Sequence, residues 1–450
     1  MAKNQLEQIG QDLVERAMRA GATAADVIVR EGEEFVTTIR LGHIEQLKEA
    51  ASKILGLRLF LGARSASSYS SDFSFEELDR LVARTLAMAK ATSEDAANGL
   101  PDAALMKSYE GDLQLYSPDV AALSTEERIQ MARRAEQAAL AADPRIRNSE
   151  GASFESGEGT RAYVNSLGFA GSYRGSYCAI TAIPIAQNGG GMQRDYWYSV
   201  SRRAGGLESP ETVGRKAAER ALRRLGARKV PTCKVPVVFD QDTAQSLVGH
   251  VFEAARGDAI YRSASFLTGK LAQRVAGENV TIFDDGLRPG GFGSRPFDDE
   301  GIPPSITPVI ECGMLRNYLL NSYAARRLNL HTTGNAARGV AGPPGISPKN
   351  FYLQPGSVSP EEILHSIKAG FYVTELIGSG VNIVTGDYSR GAAGLWIENG
   401  EIAYPVHEVT IAGTLPEMLN HITMIGSDLE FRSALASPTL VVEGLTVAGT

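Results

Sequence analysis

Cysteine is scarce in this chain: Cys178, Cys233 and Cys312 are its three among 450 residues, and no two lie close enough in sequence to form a CxxC pair. That excludes a disulfide-stapled scaffold and a paired-cysteine zinc site. Long hydrophobic runs are missing as well. The apolar stretch 178–186 is interrupted by Pro184, and nothing approaches the roughly 20 apolar residues of a membrane span. Residues 1–19 lack the apolar centre of a signal peptide and read as a polar amphipathic helix, so a cytoplasmic globular protein is expected. Basic charge is in deficit, 45 Lys and Arg against 52 Asp and Glu, a formal −7. Phosphate binding needs a net basic face, which removes nucleic acid as a main partner. Common catalytic signatures are absent too: there is no GxxxxGK[ST] phosphate loop, no GxSxG nucleophile elbow and no HExxH zinc helix. Gly378-Ser379-Gly380 lacks the third glycine of a dinucleotide fingerprint, and the six histidines show no ligand spacing among themselves.

Glycine, by contrast, is plentiful at 47 residues, alongside 43% hydrophobic and 22% charged residues. That much glycine points to turns and strands rather than a helical bundle, and the length suggests two or three domains of about 150 residues. Leu6, Ile9, Leu13 and Ala17 recur at helical spacing. Phe35, Thr37, Ile39 and Leu41 alternate as in a half-buried strand, and Leu55, Leu57, Leu59 and Leu61 form one face of another. Two S-x-x-E capping boxes, Ser74 with Glu77 and Ser124 with Glu127, open helices, the second stopping at Asp143-Pro144. Residues 145–204 read as antiparallel strands, with Met192, Arg194, Tyr196, Tyr198 and Val200 sharing one face. Ser209-Pro210 opens a helix whose Arg215, Lys216, Arg220, Arg223 and Arg224 suit a solvated face or a subunit contact. Beyond a break at 230–236 come a strand at 237–239, a helix over about 242–255, and a hairpin at 396–402 turning on Asn399-Gly400. The expected fold class is α+β, an N-terminal α/β region followed by a mostly antiparallel, β-rich C-terminal domain. The expected domains are 1–115, 116–230 and 231–450.

The helix at 242–255 carries the most suggestive polar face. Ala244, Leu247, Val248, Val251 and Ala255 form its apolar stripe, which leaves Ser246, His250 and Glu253 opposite. Spacing alone gives an ordinary amphipathic helix with one histidine on its solvent side. Ser246 and His250, four apart, also stand where a Ser–His pair can form.

A series of ordered motifs reaches further: Gly249-His250, Tyr261-Arg262 with Phe266, Pro296-Phe297-Asp298 with Glu300-Gly301, and Ser322-Tyr323-Ala324-Ala325-Arg326. Val373-Thr374-Glu375-Leu376, the run from Gly386-Asp387-Tyr388-Ser389-Arg390 to Gly394, and Ile397-Glu398-Asn399-Gly400-Glu401-Ile402 complete it. Together they resemble the TldD/PmbA peptidase family along nearly the whole chain, specifically its PmbA (TldE) branch. In the TldD branch the corresponding helix carries HExxxH, and a downstream cysteine completes a metal site. There a metal-bound water attacks the peptide carbonyl while the glutamate handles the proton. Here Gln245 stands at the first His position and Ser246 at the Glu position, His250 alone is kept, and 431–437 holds no cysteine. A catalytic zinc needs about three protein ligands and an open position. Gln245, His250 and Glu253 offer one weak amide, one imidazole and one carboxylate, so this chain is expected to bind no metal and to supply no catalytic residue.

The resemblance implies zinc in a TldD-type HExxxH partner, with this chain as the non-catalytic subunit of a heteromeric metallopeptidase. Its substrates would be peptides or unfolded small proteins, in peptide-antibiotic maturation and the degradation of antitoxin-type proteins. Asp387, Tyr388, Ser389 and Arg390 fit either a packed strand bend or interface, or a groove for an extended peptide. Two other readings stand beside this one: a stand-alone hydrolase using Ser246 and His250, and a peptide-binding protein with no peptidase partner. In isolation the chain is compatible with a monomer or a homodimer.

Overall fold

Four strands of unusual length, Ala24–Arg40, His43–Leu61, Ile146–Asn165 and Ala170–Asn188, dominate the first half of the chain. The computed structural model describes residues 3–189 and 191–449; Met1 and Ala2, part of the expected N-terminal helix, lie outside them. The long strands belong to one antiparallel seven-stranded sheet, ordered Arg64–Ser70, His43–Leu61, Ala24–Arg40, Ile146–Asn165, Ala170–Asn188 and Gly191–Arg194, with Trp197–Ser201 also paired to Ala170–Asn188. Because Ala24–Arg40 pairs with Ile146–Asn165, this sheet runs across the expected boundary at 115.

Alternation along the strands sends Val27, Val29, Phe35 and Ile39 to one face. The helices Lys3–Arg19 and Phe75–Ala91 cover one end of that face, and Thr125–Ala141 and Pro210–Leu222 cover the other. Asp26, Ile28, Arg58 and Tyr163 point to the opposite face and are buried as well. There the second half of the chain docks. Asp26 accepts hydrogen bonds from Arg58 and from Arg338, Arg161 pairs with Asp299 at 2.6 Å, and Phe297 packs edge-on against Phe169 and Tyr173. Gly56 lies where the Val340 carbonyl approaches so closely that an added Cβ would be 1.8 Å from it. The leucine strand expected to have one buried face is therefore buried on both from Leu55 to Phe60.

Three further expectations are corrected by side-chain contacts. Ser124 and Glu127 form a complete capping box, whereas Ser74 caps its helix with no side-chain hydrogen bond, and Glu77 pairs with Arg80 and Arg84 instead. The single strand expected through Met192 to Val200 is two, broken at Asp195-Tyr196, because buried Asp195 turns to meet Arg220 at 3.2 Å. That contact also overturns the solvated basic face. Arg220 and Arg224 are largely buried against Asp195, Asp240 and Glu375.

The second half is built on a six-stranded sheet in the order Glu401–Thr414, Asp387–Glu398, Ala369–Ile377, Cys233–Phe239, Leu440–Ala448 and Ile422–Ile425. Glu401–Thr414 also pairs with Leu440–Ala448, which closes five of these strands into a ring. Only Ala369–Ile377 and Cys233–Phe239 run parallel within it. The hairpin turns where expected, with Asn399 at φ 53° and Gly400 at φ 83°, the left-handed pair a two-residue turn requires. A smaller five-stranded sheet and the helix Gln241–Ala255 pack on the ring around one apolar core. The architecture is α+β, with mostly antiparallel sheets. Among the described residues no helix is long and apolar enough to cross a membrane.

Candidate functional site

The Gln241–Ala255 helix leaves directly from the Cys233–Phe239 strand, and Asp240 caps it, its carboxylate accepting from the Thr243 N–H at 2.9 Å. The expected stripe of Ala244, Leu247, Val248, Val251 and Ala255 is buried, joined by Thr243, Phe252 and Ala254. Ser246 and His250 are four apart and share a face. On the Asp387–Glu398 strand, Tyr388 and Arg390 are two apart and share a face. Four helical residues rise about 6 Å and two strand residues about 6.6 Å, so the two pairs stand opposite each other. The Arg390 guanidinium donates to the Ser246 hydroxyl at 2.9 Å, and the His250 and Tyr388 rings meet edge-on with centroids 6.1 Å apart.

His250 is therefore not on a solvent side, because the strand lies over it. Its Nε2 is buried with no protein partner among the described residues. Burial, helped by the nearby Arg390 charge, pushes the imidazole down to about 4, so the ring is neutral at pH 7. Burial likewise pushes the Tyr388 phenol up to about 12, against a smaller opposing effect of Arg390. No Ser–His hydrogen bond forms among the described residues; the Ser246 hydroxyl is engaged by Arg390 instead. Gln245 donates to the Ser433 hydroxyl at 3.1 Å, which ties the helix to the 431–437 segment. Glu253 pairs with Arg256 at 2.9 Å on the exposed side.

Zinc, which the family resemblance associates with this helix, does not fit these residues. The amide is bonded to a serine, the hydroxyl to a guanidinium, and the one imidazole sits beside a fixed positive charge. Among the described residues no three His, Cys, Asp or Glu side chains are grouped to hold a metal.

Of the four candidates on the Asp387–Glu398 strand, the structure brings two to the helix. Tyr388 is 2% exposed and Arg390 half-buried, while Asp387 and Ser389 are exposed on the other face, Asp387 accepting from Thr385 at 2.6 Å. Beside Arg390 and Ser246 opens a cleft of about 300 Å³, walled by Thr374, Glu375, Arg224 and Asp195 among others. Sequence reasoning gave none of these four a place in a site. Thr374 and Glu375 were visible only as part of a family motif, because periodicity cannot show a bulge. The register passes from Val373 opposite Gly394 to Glu375 opposite Ala393, leaving Thr374 as the extra residue.

Comparison with known proteins matches the chain to three consecutive family models. They are PmbA/TldA metallopeptidase domain 1 over residues 25–89, the central domain over 118–225 and the C-terminal domain over 232–449. The chain is 38% identical over 425 residues to metalloprotease PmbA of Escherichia coli O157:H7, covering 94% of this chain and 92% of that protein. It is 36% identical over 448 residues to a metalloprotease PmbA homolog of Haemophilus influenzae, covering 99% and 97%. A solved structure from Bacteroides thetaiotaomicron, described as a candidate modulator of DNA gyrase, matches over the whole of both chains with a TM-score of 0.93 and 27% identity. TldE of Thermococcus kodakarensis, at 20% identity and TM-score 0.88 over 98% of this chain and 99% of that one, shares the fold.

Proposed function

This chain belongs to the PmbA/TldD metallopeptidase family, in its PmbA (TldE) branch, and on that footing we propose that it is the non-catalytic subunit of a heteromeric peptidase. The bond between Ser246 and Arg390 carries the reading. At the position where hydrolysis by this family's chemistry calls for a carboxylate base, the chain places a hydroxyl held by a cation. A guanidinium cannot accept the proton of an attacking water or of a serine nucleophile. The same bond weighs against a stand-alone hydrolase, since the Ser246 hydroxyl is engaged by Arg390 and forms no hydrogen bond to His250 among the described residues. A TldD-type HExxxH subunit supplies the hydrolytic centre and its zinc. This chain completes the chamber and holds peptides or unfolded small proteins, in the cytoplasm, serving peptide-antibiotic maturation or the removal of antitoxin-type proteins.

Co-expression with an HExxxH-bearing relative from the same genome tests the reading. The pair should elute as a one-to-one complex at micromolar concentration. Unfolded-peptide cleavage should require the partner and rise when both chains are present. Separate elution, or cleavage by this chain alone, would sink it.

A further inference from the structure

The donors around the Ser246–Arg390 contact have no counterpart of opposite charge. Each carboxylate lining the cleft has an arginine nearby, although the Asp195 Oδ2 has no hydrogen-bond donor among the described residues. Asp195 pairs with Arg220 at 3.2 Å and lies 3.7 Å from Arg224, Glu375 pairs with Arg224, and Asp242 lies 3.8 Å from Arg432. Arg194, on the rim, pairs with Glu150 at 3.2 Å. Among the described residues Arg390 alone of the lining arginines has no carboxylate partner, and its Nε is buried with no acceptor.

The neighbouring polar atoms share that state. The Thr374 hydroxyl, on a residue 5% exposed that lines the cleft, has no partner among the described residues; the Tyr388 hydroxyl and His250 Nε2 are unpaired too, but on residues outside the cleft's lining. Buried polar groups are nearly always paired, so the unpaired Arg390 Nε and Thr374 hydroxyl beside one cleft ask for a ligand. The character of the set narrows the ligand. Arg390 offers only donors, the Thr374 hydroxyl has a hydrogen to give, and the Ser246 hydroxyl, already accepting from Arg390, keeps its own. A cation is repelled by Arg390, and a neutral carbonyl satisfies too few of these donors. A carboxylate, with two oxygens and about four lone-pair sites, matches both the guanidinium fork and the hydroxyls.

We propose that the cleft between Ser246, Thr374 and Arg390 is a carboxylate-binding site that takes a carboxylate of a peptide. The inference rests on the reading of this chain as a substrate-holding subunit and says which part of the substrate it grips. The degenerate helix has exchanged a metal-ligand face for one wall of an anion site, and the bulge at Thr374 turns a hydroxyl toward it.

Calorimetric titration of the full chain, without a partner, tests this with three N-acetylated tripeptides: Ala-Ala-Ala as free acid, the same peptide as C-terminal amide, and Ala-Asp-Ala amide. The free acid should bind one-to-one and at least about 10-fold more tightly than the plain amide, with Arg390→Gln removing about 10- to 100-fold. Equal binding of the Ala-Asp-Ala amide and the free acid would assign the site to carboxylates of either origin. Much weaker binding of it would assign the chain terminus. Thr374→Val, which keeps the shape and removes the unpaired hydroxyl, should cost a few-fold with little change in melting temperature, and it decides the matter if Arg390→Gln fails to fold. Equal affinity for free acid and plain amide, no effect of Thr374→Val and Arg390→Gln, or no carboxylate binding at millimolar peptide would overturn the proposal. None of these results touches complex formation, and failure to form the complex would leave this binding intact.

Discussion

Replacing Asp26 by Asn should split the unfolding of the molecule into two steps. Asp26 is fully buried and holds Arg58, from its own sheet, and Arg338, from the other half of the chain. Burial raises its carboxyl pKa, but Arg338 and Arg58 together outweigh that and hold it below the usual range, so the group is ionised in the fold. Asparagine keeps the shape and removes the charge, leaving two buried guanidiniums facing one amide oxygen. Breaking a buried ion pair from one side costs about 3–5 kcal/mol, a large share of the roughly 5–15 kcal/mol that separates folded from unfolded chains. The Arg161–Asp299 contact survives, so the halves stay docked in water but separate early in denaturant. The two tryptophans lie in different halves, Trp197 in the seven-stranded sheet, with Arg432 of the other half 4.2 Å over its ring, and Trp396 in the closed ring. Followed by fluorescence in urea, the Trp197→Phe and Trp396→Phe versions should share one midpoint. With Asp26→Asn added, the midpoints should part, the Trp197 signal moving lower. Adding Arg338→Met should recover part of the loss, because one fewer charge is left unpaired. Coincident transitions displaced by less than about 1 kcal/mol would refute the reasoning, since that is the range of a surface pair.

Three other outcomes follow from particular contacts. Gln245→His with Ser246→Glu restores HExxxH in letters only: histidines five apart on this uninterrupted helix point about 140° apart, and the introduced carboxylate would face Arg390, so the variant should bind zinc weakly and cleave nothing; stoichiometric zinc by elemental analysis with peptide hydrolysis would contradict this. His250, near 4 in the fold against 6.5 unfolded, binds fewer protons folded than unfolded between those values, so its contribution is full above about pH 6.5 and is lost as pH falls toward 4. After discounting for partial exposure that is on the order of 1–2 kcal/mol, and the melting-temperature difference between wild type and His250→Gln should change between pH 7 and 4.5; a constant difference would count against it. Ser124→Ala should cost about 1 kcal/mol and Ser74→Ala less than about 0.5 kcal/mol, compared by denaturant midpoint, because only Ser124 accepts from its helix; equal costs would argue against the cap geometry.

That last pair shows where sequence reading stops. Ser74-x-x-Glu77 and Ser124-x-x-Glu127 are the same local signal, and only arginines on the neighbouring helical turns, Arg80 and Arg84, decide that Glu77 does not complete the box. Local periodicity located the site helix to within a residue, Gln241–Ala255 against 242–255, and placed the Asn399-Gly400 turn. Both depend on neighbours within a few positions. The site itself did not emerge from spacing. Arg390 meets Ser246 across 144 residues and Thr374 is displaced by a bulge, so no local pattern carries either. The same distance hid the burial of Arg220 and Arg224, whose acids lie on separate strands and turns.

The closed ring has a bearing on how firmly the cleft is held. Arg390 and Tyr388 hang from the first part of their strand, which pairs with Glu401–Thr414 on one side and on the other meets the turn at Gly380 and Val381. Ala369–Ile377 pairs with the strand only from Gly391 onward. From Gly391 onward the strand is paired on both sides, and the Arg390–Ser246 bond ties its first part to the helix. The grip is a cast template rather than a closing hand: a peptide entering it orders itself and nothing else, so its loss of freedom falls on the ligand alone. Ser433, by contrast, holds Gln245 from a stretch outside regular strands. Heat should therefore loosen the Gln245 side of the helix before it moves the arginine, and amide exchange should be slowest along residues 391–398 and fastest around Ser433.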